Sequence, residues 1–304
     1  MENLLARANT YLNKPKVAAW VFLSPSILCL LLFVFVPLFV AFGMGFFDIT
    51  IFFKNIRFVG VANYRELLHD QRFWNALKNT AYFTACVVPG GTAFSLSVAL
   101  YVQKNTGFRR FIRSLLYVPV VCSMTAMGIV WAMLMDPTIG IFAYWSDILG
   151  MRNFMFLKDP NWAMPLIMLM TVWKTFGLSM IIFVAALQSI PEYYYEAARI
   201  DGAGALTQFI HVTLPQIVPV LGFCIVTSTI QSFMLFDQTY IMTRGGPLFR
   251  TESMVQYIYS RAFSLSPFRL GYATAIAEVL FVIIAVVSLL MYRFFVKKEA
   301  GGMQ

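Results

Sequence analysis

Long uncharged stretches alternate with short charged ones along this sequence. Val17 to Phe47, Asn79 to Gln103, Ser114 to Met135 and about Val212 to Phe236 contain no Asp, Glu, Lys or Arg. Two more, about Trp162 to Ser189 and Leu270 to Tyr292, are interrupted only by Lys174 and Glu278. A helix needs ~20 mostly apolar residues to cross the hydrocarbon core of a bilayer, and each of these stretches is long enough. The pattern predicts an all-α membrane protein of six transmembrane helices, at about 17–43, 79–103, 114–135, 162–189, 212–236 and 270–292. Tails at 1–16 and 294–304 flank one six-span domain over 17–293, and a polar loop at 190–211 separates spans four and five. Pro89, Pro119 and Pro165 fall inside spans and predict kinks, which a bundle accommodates when neighbouring helices satisfy the freed carbonyls. Asn63 to Leu68 and Asp70 to Lys78 read as short amphipathic helices after span one, with Phe73 and Trp74 at the membrane interface.

Composition changes this picture only by removing its rivals. The chain is 60% hydrophobic and 12% charged, with a mean hydropathy of +0.72, whereas soluble domains are about a quarter charged. Its 23 basic and 14 acidic residues are too few to cover a globule of 304 residues, and disorder needs the opposite bias. A secretory signal peptide competes for the first stretch. The run is roughly twice an ordinary signal core, holds Pro25 and Pro37 and lacks a convincing A-x-A site, so it reads as a retained anchor. Cys29, Cys86, Cys122 and Cys224 lie in apolar stretches without C-x-x-C spacing and read as small packing residues. His69 and His211 have no Cys or carboxylate partners at metal-ligand spacing, so no metal site is expected.

The net charge of +9 would suggest nucleic acid in a soluble protein. In a membrane protein Lys and Arg gather at span ends against anionic headgroups, so no nucleic-acid partner is expected and membrane lipid is. With the N-terminus inside, inner segments and outer loops carry eleven basic residues each. Density breaks the tie, because the inner segments are shorter and long loops count for little. Arg109-Arg110-Phe111-Ile112-Arg113, in a short loop, is the strongest vote for both termini being cytoplasmic.

The loop between spans four and five carries the clearest local design. Ser189 and Glu192 have the spacing of a capping box, and Pro191 sits in the first turn, where its missing N–H costs nothing. Glu196, Ala197 and Ala198 continue a helix on good formers, and Asp201-Gly202 stops it, since Gly accepts φ > 0 after a helix end. Leu206, Phe209 and Ile210 then recur at helical spacing. This is a helix, a turn and a second helix. Spacing alone leaves open whether it is an ordinary interfacial loop or a docking element.

The same stretch resembles the EAA motif, roughly E-A-A-x-x-D-G-A with a later L-P, of permease subunits of binding-protein-dependent ABC importers. Glu196, Ala197, Ala198, Asp201, Gly202, Ala203, Phe209, Leu214 and Pro215 fall where that motif places them. Asn63-Tyr64, the run Phe73 to Thr80, Tyr240 to Pro247 and Leu270 to Ala273 extend the resemblance to the carbohydrate-uptake branch, closer to its MalF/UgpA-like half, over about 17–295. The extra N-terminal spans and large periplasmic domain of enteric MalF are not part of this pattern. The resemblance implies a permease for a sugar or sugar-like solute in a bacterial or archaeal cytoplasmic (inner) membrane. It implies a second permease subunit, two ATP-binding subunits and an extracytoplasmic solute-binding protein as partners. Glu196, Ala197, Ala198, Asp201, Gly202, Ala203 and Phe209 would form the coupling helix seated on an ATPase subunit. The sequence has no GxxxxGK[ST] loop. ATP and Mg2+ therefore belong to the partner ATPase; this chain needs no cofactor and has no catalytic residues.

Charges inside spans are costly and count as functional hypotheses. Lys174 next to Trp173, and Glu278 in span six, admit three readings: an ion pair, contacts to solute hydroxyls with Trp173 stacking on a sugar face, or separate partners. Gln231, Asp237 and Tyr240 are further pathway candidates. Gly245-Gly246-Pro247 is either a docking point for the binding protein or a plain reverse turn. The rival function is a proton-coupled secondary transporter using Lys174 and Glu278. It predicts inverted repeats, and none is visible.

Overall fold

A computed structural model of the protein describes residues 15–50, 52, 56–150 and 155–301. Most of the tail expected over 1–16, the last residues of the tail expected over 294–304, and Lys54 and Arg152 of the outer loops lie outside the described residues. Among the described residues, five helical stretches are long and apolar enough to cross a membrane, and a bent pair of helices makes a sixth if taken as one span. The chain divides into two compact units, the first formed by residues up to Leu68 with Arg261–Glu278, the second by the rest.

In the first unit, α1 (Pro15–Leu30) runs through a π turn (Leu31–Phe35) into α2 (Val36–Met44). The wide turn falls just before Pro37, whose missing N–H would otherwise leave an α-helical carbonyl unpaired. A two-residue hairpin follows, β1 (Phe47–Asp48) against β2 (Arg57–Phe58), pairing Phe47 with Phe58 and Asp48 with Arg57. Next comes α3 (Ala62–His69), the amphipathic helix expected there. Asn63 is buried and donates through Nδ2 to the carbonyls of Gly45 (2.9 Å) and Phe47 (3.1 Å), fixing α3 against the end of α2. Arg269 forms a fork with Glu66 at 2.5 and 2.8 Å.

The second unit opens with α4 (Gln71–Val102), a correction to the sequence reading. Asp70 to Lys78 is not a separate short helix but the first turns of span two. The Asp70 side chain accepts from the backbone N–H of Arg72 (2.9 Å) and Phe73 (3.3 Å), and nothing after that cap interrupts the helix. Span three is corrected more deeply. It is α5 (Gly107–Val121) and α6 (Met124–Leu134), bent by 95° at Cys122-Ser123, both in extended backbone. Short elements follow: α7 (Ile141–Ile148), a 3-10 turn (Phe156–Lys158) and α8 (Ala163–Gln188) as span four. The polar loop holds α9 (Glu192–Ile200) and α10 (Ala205–Gln208). The latter passes through a second π turn (Phe209–Thr213) into α11 (Leu214–Phe233), with Pro215 again just beyond the wide turn. Span five thus begins at Ala205, seven residues before its expected start. The chain closes with α12 (Asp237–Met242), α13 (Met254–Tyr259) and α14 (Leu270–Gly301), which enters the second unit after Glu278.

The core of the second unit lies between α4 and α8. Phe83, Ala99 and Val102 of α4 and Ile167, Met170, Met180 and Phe183 of α8 are buried. Close approach depends on small residues, as expected where lipid removes the hydrophobic drive between helices. Ser95 donates to the Phe176 carbonyl at 3.0 Å. A Cβ at Gly177 would meet the Leu116 carbonyl oxygen at 2.9 Å, so α5 lies directly on α8 there.

Candidate functional site

Three features of the second unit position polar or reactive groups. The first is the interhelical loop. Helix α9 begins after Pro191, and the capping box expected from Ser189 and Glu192 does not form. The Ser189 hydroxyl instead donates back to the Ala186 carbonyl at 2.8 Å, while Glu192 pairs with Arg199 at 2.6 Å. The end of α8 claims Ser189 before α9 can use it. The other end of α9 is built as read. Gly202 takes φ +77°, the Ala203 N–H donates to the Ala198 carbonyl (2.9 Å) and the Gly202 N–H to the Arg199 carbonyl (3.1 Å), a complete Schellman closure. Tyr195 shares a hydrogen bond of 3.0 Å with Thr213, tying α9 to the π turn.

That frame leaves one face free. Glu196, Ala197, Asp201 and Gly202 are exposed, Ala198, Ala203 and Phe209 half-buried. A cleft of about 570 Å3 between α9 and the following helix is lined by Tyr194, Ala197, Ala198, Ala203 and His211 among others. Ile200 is 86% exposed and Leu206 72%. Leu206, read from spacing as part of an apolar helix face, thus stands out from the loop. The pattern supplied its helical period but not the side on which the face lies.

The second feature is a cleft of about 670 Å3 among α4, α5, α8 and α11. It gathers Lys174, Gln231 and Asp237 of the expected pathway residues. Trp173 does not line it and packs on Trp131 with ring centroids 5.4 Å apart. Tyr240 stacks on Phe236 at 5.2 Å. Glu278 belongs to the first unit, where it accepts from the Tyr64 hydroxyl at 2.5 Å, and Lys174 donates to the Val120 carbonyl at 3.3 Å. Each charge thus has a polar partner within its own unit. Val120 and Met124 bring the break in span three to the cleft wall, and Lys174 serves a carbonyl at the end of α5 that the break leaves unpaired. Thr92, Ser95, Thr227 and Ser228 also line the cleft and were missed, although the Ser95 hydroxyl is spent on the Gly91 and Phe176 carbonyls. Their signal in the sequence is a Ser/Thr/Gln stripe at intervals of three or four on otherwise apolar spans.

The third feature is the loop after α12. Arg244, Gly245, Leu248 and Phe249 all have positive φ, between 51° and 83°. Several bonds hold this backbone in place. Asn75 and Asn79 both donate to the Phe249 carbonyl at 2.8 Å, and Thr251 donates to the Gly246 carbonyl at 2.6 Å. Glu252, almost wholly buried, forms a bidentate pair with Arg72 at 2.8 and 2.6 Å. Gly245-Gly246-Pro247 is thus part of an anchored loop, more elaborate than a plain turn. Gly246 and Pro247 line a groove of about 400 Å3 with Asp136, Pro137 and Lys158. Hydrogen bonds from Thr138 hold the Asp136 carboxyl below its ordinary pKa.

The described geometry can be set beside known proteins. The family model for "Binding-protein-dependent transport system inner membrane component" matches residues 91–300. The chain is 32% identical over 289 residues to the probable ABC transporter permease protein YurN of Bacillus subtilis, covering 93% of this chain and 97% of that one. It is 31% identical to the lactose transport system permease protein LacF of Rhizobium radiobacter, covering 91% and 93%. A solved bacterial ABC transporter involved in import of the acidic polysaccharide alginate contains a chain of the same fold. The TM-score is 0.81 at 23% identity, covering 96% of this chain and 99% of that one.

Proposed function

The chain belongs to the family of binding-protein-dependent transport system inner membrane components, and from that premise we propose how its parts divide the work of transport. It is a multi-pass permease subunit of an ABC importer and not itself an enzyme. Our reading is that the cleft among α4, α5, α8 and α11 is half of the path for a sugar or sugar-like solute. The observation that carries this is the lining: Thr92, Thr227, Ser228 and Gln231 set among apolar residues. Such groups exchange hydrogen bonds with a polyhydroxylated solute as it sheds water, which limits the desolvation cost of crossing. LacF is named for lactose, which supports the same class.

Helix α9 is assigned as the element that receives force. Its Schellman closure keeps the last turn intact, and Glu196, Asp201 and the exposed Ile200 offer charge and apolar surface to an ATP-binding subunit. Closure of two such subunits around ATP would displace α9, and with it the π turn and α11. A second permease chain supplies the other half of the path. The anchored loop at Gly245, Gly246 and Pro247 receives the solute-binding protein on the opposite side, and both termini are cytoplasmic. The test is a mild-detergent pull-down of the tagged chain beside Glu196→Ala combined with Gly202→Asp. A second six-span protein and an ATPase should copurify with the wild type, and the ATPase should be lost from the variant. ATPase activity of the reconstituted wild-type complex should rise with a sugar and its binding protein. An ATPase retained equally by both samples would overturn the placement of the docking helix.

A further inference from the structure

Lys104, Arg109, Arg110 and Arg113 fall within ten residues that contain no acidic residue. No ion pair joins them to a described residue. Thr106 accepts from the Arg109 N–H and starts α5 at this point, the Arg109 guanidinium lies 5.3 Å from the centre of the Tyr101 ring, and Arg113 donates to the Lys104 carbonyl at 3.4 Å. The cluster is therefore held on the first turns of α5 and not on a free loop. Gln188 donates to the Gln103 carbonyl at 2.6 Å, which places the cluster at the same end of the second unit as α9.

Helix α5 leads away from these charges with an apolar lane that the described residues leave exposed. Phe108, Phe111, Leu115, Val118 and Val121 recur at helical spacing, and each is more than half exposed. The opposite face, through Leu116 and Val120, is the one that lies on Gly177 of α8. From Phe108 to Val121 the lane runs ~20 Å at 1.5 Å per residue, somewhat more than the ~15 Å of hydrocarbon in one leaflet. A molecule that fits both parts has a compact anion at one end and long alkyl chains at the other.

We propose that the first turns of α5 and this lane form a binding site for an anionic phospholipid on the leaflet that faces α9. The phosphodiester sits against the guanidinium groups of Arg109 and Arg110, and the acyl chains lie along Phe108, Phe111 and Leu115. Charge complementarity selects the headgroup. A partner protein would have to match the basic end with acid while following an apolar lane into the bilayer, and a lipid does so without design.

The experiment uses the full chain purified in neutral detergent. It is titrated with dioleoylphosphatidylglycerol or dioleoylphosphatidylcholine, and retained lipid is counted by native mass spectrometry. The wild type should hold phosphatidylglycerol in preference to phosphatidylcholine. Arg109→Gln combined with Arg110→Gln should weaken the first about 25-fold, at about fivefold per arginine, and leave the second unchanged. Arg244→Gln combined with Arg250→Gln makes the same change in charge near the other end of α4, where Asn75 and Asn79 hold the Phe249 carbonyl. It should leave both affinities within about twofold. Equal retention of the two lipids by the wild type would overturn the proposal. So would a preference that survives loss of Arg109 and Arg110, or an equal loss in the two double variants.

Discussion

Gly202→Ala isolates one backbone position from everything around it. Gly202 has φ +77°, and a Cβ built there would meet nothing within 4 Å, so the substitution adds strain without a clash. Holding a non-glycine residue in the left-handed region costs ~1–2 kcal/mol. The alanine also narrows the freedom of the opened loop, which offsets ~0.4–1 kcal/mol. About 1 kcal/mol of local destabilisation remains, or roughly fivefold in the equilibrium for opening the last turn of α9. That turn is closed by the amides of Gly202 and Ala203, so hydrogen exchange at residues 202–203 reads it directly. The expected result is a fivefold faster exchange there, with amides of α8 and α11 unchanged. Gly202→Asn should stay within about twofold of wild type, because Asn enters the left-handed region through local hydrogen bonds. Equal acceleration by Ala and Asn, or none by Ala, would refute the argument that backbone conformation alone selects glycine here.

Gly177→Ala should lower stability by about 1–3 kcal/mol in a denaturant titration, since its Cβ presses on backbone of α5 that cannot rotate away. Glu252→Gln should cost about 2–3 kcal/mol, less than a fully buried pair because Arg72 stays 27% exposed; a change under 0.5 kcal/mol would count against the anchored loop. Lys174→Met and Glu278→Gln should add within about 0.5 kcal/mol in a double-mutant cycle, as their partners are Val120 and Tyr64. Burial and the Glu278 carboxylate hold the Tyr64 phenol above its ordinary value. Stability that depends on this proton is therefore intact below about pH 10 and falls as pH rises beyond it. Thermal midpoints from pH 9 upward should decline more steeply for wild type than for Tyr64→Phe.

What could be read from the sequence was what apolarity and glycine encode. The uncharged stretches marked the spans, and Asp201-Gly202 marked the end of α9, because a left-handed position has almost one chemical solution. The rest depends on competition that a one-dimensional pattern does not record. Ser189 had two possible roles and is used by α8. Arg72 and Lys78 made residues 70–78 look like a short helix apart from span two, yet Asp70 caps them into α4. The break in span three carries no charge or glycine to announce it, and Pro119, the nearest breaker, lies inside α5. Lys174 and Glu278 invited pairing only because intramembrane charges are rare; carbonyl and hydroxyl partners do not show in a scan for charges.

The π turn between the docking loop and α11 has a consequence of its own. Each such turn holds one residue more than an α-helix would need, and one residue in a helix is ~100° of rotation. Phe209–Thr213 therefore acts as a phase setting. It decides which direction Thr227, Ser228 and Gln231 face for a given orientation of α9. Removing a single residue between Phe209 and Thr213 would leave the docking residues Glu196 to Phe209 in place, while turning the hydroxyl stripe away from the cleft. In this chain, length counted in single residues is a form of information, stored where composition does not reveal it.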